Sequence, residues 1–357
     1  MNEFGVYVHV PFCAHRCDYC AFATYADRDD LMGDYVEAVR AELASYADAT
    51  PAATSVFFGG GTPSRLSAEQ LLSILDAIPR VEGAEVTVEC NPEDATVERL
   101  AAYRAGGVNR MSFGVQSTQP AVLADLGRRH GVMAHEAVAR AVTDAGFETW
   151  NMDLIIGSRA ETIDDVAATL GDIVNLETPP PHISCYALTA EPATPLGRDP
   201  GRHPDEDATA DAYDLVAATL EGAGYQWEEI SNWAKAGHEC RHNHLYWNQG
   251  DYLGVGSAAH SHRDGHRWWN VRTPDRYIAM LREGRRPLGG EEYLDETTRR
   301  FERESLALRT TTGVALEAFE SLDEIAHLVR LRDGVVTLAP AGRLLANQVI
   351  VRLKDAR

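Results

Sequence analysis

Short apolar runs recur along the first two thirds of the chain, and longer amphipathic stretches separate them. β-Branched and aromatic residues dominate the short runs and predict strands, whereas apolar positions three or four residues apart in the longer stretches predict helices. The predicted strands are residues 6–10, 55–60, 85–90, 110–115, 149–157 and 182–188. The predicted helices are Met32–Tyr46, Ala68–Ile78, Val97–Ala105, Ala134–Ala145, Ile163–Val174 and Asp205–Gly224. This alternation is typical of a parallel sheet built from βα units.

Six βα units are too few for a closed eight-stranded barrel, so the pattern predicts an α/β fold with an open, partial (β/α)6 barrel over residues 1–230. Residues 225–234 predict a further edge strand. A connecting region rich in Gly, His and Trp follows over 231–290. Residues 291–357 predict a small C-terminal α+β domain resembling a winged helix, with a helix over 297–310 and a hairpin followed by a helix over 334–353.

Length and charge limit the classes of partner. A chain of 357 residues exceeds what one hydrophobic core usually holds, so two units are expected. Lys and Arg total 33 against 54 Asp and Glu, and the resulting net charge of −21 repels nucleic acid and anionic lipid surfaces. No apolar run approaches the roughly 18 residues of a membrane span, and the first residues lack the basic segment of a signal peptide. We therefore expect a cytoplasmic protein.

Three cysteines follow the first predicted strand in the sequence VHVPFCAHRCDYCAFATY. Cys13, Cys17 and Cys20 have the spacing Cys-x3-Cys-x2-Cys at the carboxyl end of a barrel strand, where barrel enzymes keep their chemistry. Three thiolates can bind three irons of a [4Fe–4S] cluster and leave the fourth iron open to a small chelating molecule. A zinc site with His9 or His15 as fourth ligand is the alternative, although no second cysteine pair follows downstream.

The chain has six cysteines, and three of them lie close together. This distribution fits metal binding in a reducing compartment better than a framework of disulfides. Cys90 and Cys185 lie in predicted strands, and we expect both in the core.

Several motifs resemble one known superfamily. CAHRCDYC, with Tyr19 before the last cysteine, and GGGTPS at 59–64 resemble the radical S-adenosylmethionine (SAM) superfamily. FFGGGTPSRL, VECNPE, MSFGVQS, MDLIIG and CYALTAEPATPLGR resemble the branch that holds oxygen-independent coproporphyrinogen III oxidase and the HemW haem chaperones. These motifs span nearly the whole chain and lie in order at predicted strand ends.

The resemblance implies a [4Fe–4S] cluster on the three cysteines and SAM beside it. Glycines without Cβ atoms leave room for the methionine end of SAM, carboxylates and amides accept hydrogen bonds from its ribose, and a guanidinium pairs with its carboxylate. The implied cofactor-binding residues are Tyr19, Gly59, Gly60, Gly61, Thr62, Glu89, Gln116, Arg128 and Asp153.

Each of these residue types also has a plainer interpretation. The glycine run is compatible with a simple tight turn. Glu89 and Asp153 are compatible with a solvated strand end or a helix cap, and the neighbouring Arg129 competes with Arg128 for the carboxylate.

Within this branch, departures from the oxidase pattern favour the HemW group. The oxidase has a further cysteine two residues after the last cluster ligand, where this chain has Phe22, and its longer N-terminal extension contrasts with the 12 residues before Cys13. Relatives also tend to carry Leu-Pro after the glycine of the fifth strand, where this chain has Ser158 and Arg159, and this difference leaves the rigidity of that loop open.

The sequence RHNHLYWNQGDYLGVGSAAHS at 241–261 contains the His-Asn-x-x-Tyr-Trp signature of the HemW group. Imidazole can ligate haem iron, and flat aromatic rings can stack on a macrocycle. The haem-binding candidates are therefore His242, Asn243, Tyr246 and Trp247.

Alternatives remain open for this stretch. In an extended segment the alternating His238, Cys240, His242 and His244 would share one side, where they could bind haem or a transition metal. Alternatively, His238 and His244 lie on a solvated loop, and the two aromatic residues Tyr246 and Trp247 pack that loop against the barrel. His260 and His262 are open to both interpretations.

The resemblance thus implies a haem chaperone that takes haem as cargo and delivers it to haem-requiring respiratory proteins, touching membranes only through these clients. It assigns no catalytic residue, gives the cluster and SAM a structural or regulatory role, and includes a homodimer as one arrangement. Two other classes remain: an oxidase that decarboxylates coproporphyrinogen by radical chemistry, and a structural or storage zinc protein without a cluster. Whether SAM is cleaved, which group ligates haem and which protein is the client stay open.

Overall fold

A computed structural model describes residues 3–354, and in this part of the chain the backbone forms fifteen strands and eleven α-helices. The strands are β1 Phe4–Val10, β2 Ala53–Gly60, β3 Arg80–Cys90, β4 Arg110–Gln116, β5 Thr149–Ile156, β6 His182–Ala187, β7 Gln226–Glu229, β8 Asn232–Ala234, β9 Asp251–Val255, β10 His260–Arg263, β11 His266–Asn270, β12 Leu288–Tyr293, β13 Val314–Ala315, β14 Val329–Arg332 and β15 Val335–Leu338. The helices are α1 Met32–Tyr46, α2 Ala68–Asp76, α3 Val97–Ala105, α4 Pro120–Asp125, α5 Ala134–Asp144, α6 Ile163–Val174, α7 Glu206–Gly222, α8 Arg241–Trp247, α9 Pro274–Arg282, α10 Glu296–Leu308 and α11 Ala346–Ile350.

One sheet of twelve strands dominates the described residues, in the order β12-β11-β10-β9-β1-β2-β3-β4-β5-β6-β8-β7. The seven strands from β9 through β6 run parallel to their neighbours, and the outer strands at both ends run antiparallel. β1 and β6 do not pair with each other in this sheet, so the six central strands form an open barrel. The predicted α/β fold with a partial (β/α)6 barrel is confirmed.

Alternation along β1 shows how the sequence separates the two faces of this sheet. Phe4, Val6, Val8 and Val10 are buried in the main hydrophobic core, while Tyr7, between them, lines the barrel interior. Several crossover helices begin at a side-chain cap, as at Ser67 before α2 and Thr162 before α6. Cys90 and Cys185 are buried in this core, as the sequence predicts.

The prediction of a single edge strand over residues 225–234 is wrong. This segment is a hairpin of β7 and β8, and β8 pairs antiparallel with β6. The Glu229 carboxylate accepts a hydrogen bond from the backbone N–H of Ser231 at 3.1 Å and another from the Asn232 side chain. These local bonds stabilise a tight turn within a segment whose mixture of aromatic and polar residues resembles a single strand.

The extended row considered for residues 238–244 is also wrong, because most of this stretch forms the helix α8. The Glu85 carboxylate on β3 accepts hydrogen bonds from the backbone N–H groups of Arg241 at 3.1 Å and His242 at 3.0 Å. A carboxylate at this position satisfies free N–H groups and favours the helix dipole. A Cβ on Gly5 would lie 2.5 Å from the Leu245 side chain, so β1 admits α8 only because this residue is glycine.

Residues after α8 continue the sheet instead of forming a separate layer. β9 pairs parallel with β1, and β10, β11 and β12 extend the sheet antiparallel from it. The predicted C-terminal helix is present as α10, and the predicted hairpin is present as β14 and β15, followed by α11. These elements surround a second hydrophobic core that includes Leu308, Val336 and Val349.

No helix within residues 3–354 combines the length and the apolar character that crossing a membrane requires.

Candidate functional site

A cavity of roughly 570 Å³ occupies the interior of the open barrel. The cysteine loop after β1 lies at one end, and side chains from β2 to β6 form the walls. His242, Asn243 and Tyr246 on α8 line the opposite end. The fold therefore places the cysteine motif and the His-Asn-x-x-Tyr-Trp motif at two ends of one cavity.

Cys13, Cys17 and Cys20 all line this cavity. The Thr62 hydroxyl donates a hydrogen bond to Cys13 Sγ at 3.5 Å, and Arg128 Nη1 donates to Cys17 Sγ at 3.5 Å. Burial raises the pKa of Cys13 to about 11, against the hydrogen bond from Thr62, and burial also raises the pKa of Cys20. These two thiols are protonated at neutral pH in the metal-free protein, and bound iron would displace their protons.

The donor set suits a cluster better than a single metal ion. Within residues 3–354, no group of three or more His, Cys, Asp or Glu side chains is arranged to hold one ion. His9, one candidate fourth zinc ligand, instead bonds the Tyr7 hydroxyl and the Ala23 carbonyl at 3.0 Å each. His15 Nε2 lies 3.1 Å from the Gly127 carbonyl oxygen. A cubane binds each thiolate through a different iron, so the three sulfurs need not meet at one point.

The glycine run starts with the last two residues of β2 and borders the cavity. The structure explains these glycines differently from the expectation that they make room for SAM. A Cβ on Gly60 would lie 2.4 Å from the His9 ring, and the φ of Gly60 is +107°. A Cβ on Gly61 would lie 2.8 Å from the carbonyl oxygens of Val10 and Phe12. The glycines therefore let β2 approach the chain that leads into the cysteine loop, and a side chain would first collide with protein atoms.

Glu89 and Asp153 are half-buried in the cavity wall rather than at solvated strand ends. Glu89 accepts a hydrogen bond from Gly60 N at 3.2 Å, and Asp153 accepts bonds from Asn151 at 2.7 Å and Ser112 at 3.3 Å. Burial and then the charge of Asp153 raise the pKa of Glu89 to about 8. Glu89 is therefore mostly protonated at neutral pH, and a cationic ligand beside it would favour its ionised form.

The structure distinguishes the two neighbouring arginines. Arg129 is exposed, whereas Arg128 lines the cavity and donates from Nη2 to the Gly114 carbonyl at 2.6 Å and to Asn91 Oδ1 at 3.1 Å. Arg128 Nε is buried and has no hydrogen-bond partner among the described residues. An unused buried donor beside the cysteines fits a ligand that carries a carboxylate.

Gln116 also lines the cavity, with a left-handed φ of 67° at a register shift between β4 and β5. This conformation costs a non-glycine residue about 1 kcal/mol. Tyr19 and Thr62 line the cavity as well, whereas Gly59 lies just outside it, with its missing Cβ directed towards Glu89. The fold thus gathers eight of the nine predicted cofactor-binding residues around one cavity.

The haem candidates have different surroundings. His242 is fully buried, and its ring nitrogens lie 2.9 Å from the Ser55 hydroxyl and 2.8 Å from the Tyr246 hydroxyl. Asn243 and Tyr246 line the end of the cavity, and Trp247 is half-buried without lining it. Among the neighbouring groups, Cys240 Sγ contacts Glu85 and His244 pairs with Glu228.

Sequence reasoning missed several residues that hold this site together. Asn91 joins Arg128 to Thr62, because it accepts from the guanidinium and its amide donates to the hydroxyl at 3.4 Å. Asn151 orients Asp153. Asn91 lies within the motif VECNPE, so the motif carried a signal for it, whereas Asn151 could be found only from the strand register.

Comparison with known proteins identifies relatives over nearly the whole chain. Residues 7–173 match the radical SAM superfamily. The chain is 39% identical to heme chaperone HemW of Mycobacterium tuberculosis over 98% of this chain and 94% of the relative. It is 33% identical to heme chaperone HemW of Bacillus subtilis, over 97% of both chains, and 36% identical to that of Escherichia coli, over 80% of this chain and 75% of the relative.

A solved structure shares the fold. The structure of coproporphyrinogen III oxidase (HemN) from Escherichia coli, described as a radical SAM enzyme, is similar with a TM-score of 0.85. The similarity covers 98% of this chain and 89% of that protein at 21% identity. This match establishes a common fold, including the parts beyond the barrel.

The glycine argument predicts that Gly60→Ala destabilises the protein more than Gly83→Ala. Both glycines have positive φ, so both substitutions introduce backbone strain, but a Cβ on Gly83 meets nothing within 4 Å. The collision with His9 should cost Gly60→Ala about 1–3 kcal/mol beyond the strain. Denaturant unfolding of the two variants measures the difference. Equal losses would show that His9 yields without cost and that the proposed packing reason is wrong.

Proposed function

Because the chain belongs to the HemW family of radical SAM proteins, we propose that it is a haem chaperone, binding haem and handing it to haem-requiring proteins. The observation that carries this proposal is the identity of 39% with a heme chaperone HemW over 98% of the chain. Phe22 adds support, because it stands where the oxidase pattern has an additional cysteine.

We further propose that Cys13, Cys17 and Cys20 hold a [4Fe–4S] cluster with SAM beside it. The residues present fit both groups, since three thiols, a guanidinium with a buried and unused Nε donor, and two half-buried carboxylates share one cavity. When bound, this pair supplies one-electron chemistry in the superfamily. In this chain Arg128 would bind the methionine carboxylate, and Glu89, Gln116 and Asp153 would accept or donate hydrogen bonds around the ribose and sulfonium.

The same family suggests the compartment, the clients and the role of the cluster. We propose cytoplasmic haem delivery to respiratory proteins, with the cluster and SAM as a structural or regulatory element that favours a homodimer. The net charge of −21 supports a protein that keeps away from anionic membrane surfaces except through its clients.

The cluster proposal predicts that anaerobically reconstituted protein holds about four irons and four sulfides per chain. Replacing the three cysteines by alanine should reduce both to background, because no other group among the described residues is arranged to bind a metal ion. Cys90→Ala is the matched control, since Cys90 lines the same cavity without belonging to the motif. Iron and sulfide that persist in the triple variant would refute the assignment.

The chaperone proposal predicts saturable haem binding without turnover of coproporphyrinogen. One measurement is titration of the reconstituted protein with haem, followed by absorbance, and transfer of that haem to an acceptor apoprotein. The second is an anaerobic assay for decarboxylated products with SAM and reductant present. Saturable binding and transfer without products are expected. Repeated turnover without saturable haem binding would instead identify an oxidase.

A further inference from the structure

Residues 231–290 contain six histidines, and the imidazole of His260 differs from the other five in its hydrogen bonding. Each of the other five forms at least one hydrogen bond, whereas His260 forms none and its residue is exposed. The partners are Thr149 for His238, Ser55 and Tyr246 for His242, Glu228 for His244, Gly250 and Gly265 for His262, and Glu291 for His266. A ring nitrogen of His260 is therefore available to an external ligand.

Trp269 holds this imidazole in place. The two residues are direct partners on β10 and β11, and their rings stack with centroids 5.6 Å apart and planes at 26°. On the next strand, a Cβ on Gly290 would lie 2.4 Å from the Trp269 ring, so the indole lies across the glycine. Stacking fixes the orientation of the imidazole without occupying its nitrogens.

The strand register places His260 on the face of the sheet that forms the barrel interior. Tyr7 lines the cavity and pairs with Gly254 on β9, and the pairing of Tyr252 with His262 sets His260 opposite that glycine. Partners in neighbouring strands point to the same face. His260 thus lies beyond the open edge of the barrel, with β9 between its strand and β1.

A positive group accompanies His260. The backbone N–H of Ala258 donates to the Val271 carbonyl at 2.9 Å, so the segment that carries Arg272 lies beside the chain that leads into His260. Burial first, together with the charges of Arg272 and His260, lowers the pKa of His9 to about 4. The exposed Arg272 guanidinium has no ion-pair partner among the described residues.

We propose that His260, oriented by Trp269, provides the axial ligand for haem iron, and that Arg272 pairs with a haem propionate. This inference rests on the proposed haem chaperone function and replaces His242 as the predicted ligand. Ligation by His242 would require its buried ring to give up bonds to Ser55 or Tyr246. His260 needs no such rearrangement.

The exposed position suits delivery. Iron bound through one imidazole on an open surface can exchange that ligand for the axial ligand of a client, whereas an enclosed site would have to open first. Because imidazole binds a metal through a lone pair in its ring plane, the macrocycle would lie roughly perpendicular to the stacked His260 and Trp269 rings. Trp269 then acts as a positioning residue that meets the haem with its edge.

The experiment is a ferric haem titration of reconstituted His260→Gly, followed by absorbance and electron paramagnetic resonance. The variant should lose at least about tenfold in affinity, equivalent to ~1.4 kcal/mol, together with the spectrum of histidine-ligated iron. Added free imidazole should restore that spectrum by filling the place of the missing ring. Iron-free protoporphyrin IX should bind the variant and the parent equally, because only ligation is removed.

His266→Gly is the matched control, because His266 lies on the opposite face of the same strands and is engaged by Glu291 and Tyr293. It should bind haem like the parent. An unchanged spectrum and affinity in His260→Gly would overturn this inference alone, and a spectral change in His242→Ala without one in His260→Gly would restore His242. A parent protein that binds no haem would overturn the proposed function and this inference with it.

Discussion

The Glu85 carboxylate fixes α8 across the amino ends of the barrel strands, and the interior cavity depends on this contact. An open barrel has a polar interior that water could enter from either end. Glu85 accepts bonds from two backbone N–H groups of α8, and Ser55 and Tyr246 engage the two ring nitrogens of His242. The helix thus lies across one end of the cavity, and the cysteines lie at the other end.

The buried charges of the interior depend on the same closure. Although burial alone would lower the pKa of Arg110, the neighbouring Cys240 and Glu85 raise it above its usual value. Removing one member of such a group leaves an uncompensated buried charge, which costs more than the pair itself contributes. Within the His-Asn-x-x-Tyr-Trp motif, His242 and Tyr246 hold α8 against β2, because the His242 ring bonds both the Ser55 and the Tyr246 hydroxyl groups.

The sequence predicted the barrel, the cysteine loop and the cavity-wall residues that lie in strand-end motifs, because βα periodicity and such motifs are local signals. It did not predict α8, whose N-terminal carboxylate comes from Glu85, more than 150 residues earlier in the chain. The turn within 225–234 was missed because it depends on side-chain bonds of Glu229 to Ser231 and Asn232, which residue types alone do not reveal. Likewise, the choice between Arg128 and Arg129 depends on which side chain the loop after α4 directs to the Gly114 carbonyl, and the stacking of His260 on Trp269 depends on strand register.

The most direct test of whether this buried carboxylate holds α8 is to compare the free energies of unfolding of Glu85→Ala and Glu82→Ala. Both residues lie on β3, but Glu82 is exposed. The account predicts that Glu85→Ala loses about 3 kcal/mol of unfolding free energy. Backbone amides of α8 should also exchange hydrogen faster in this variant. Glu82→Ala should change the free energy of unfolding by no more than about 0.5 kcal/mol and should leave the exchange rates of α8 unchanged. Equal stability and equal protection of α8 in both variants would contradict the account.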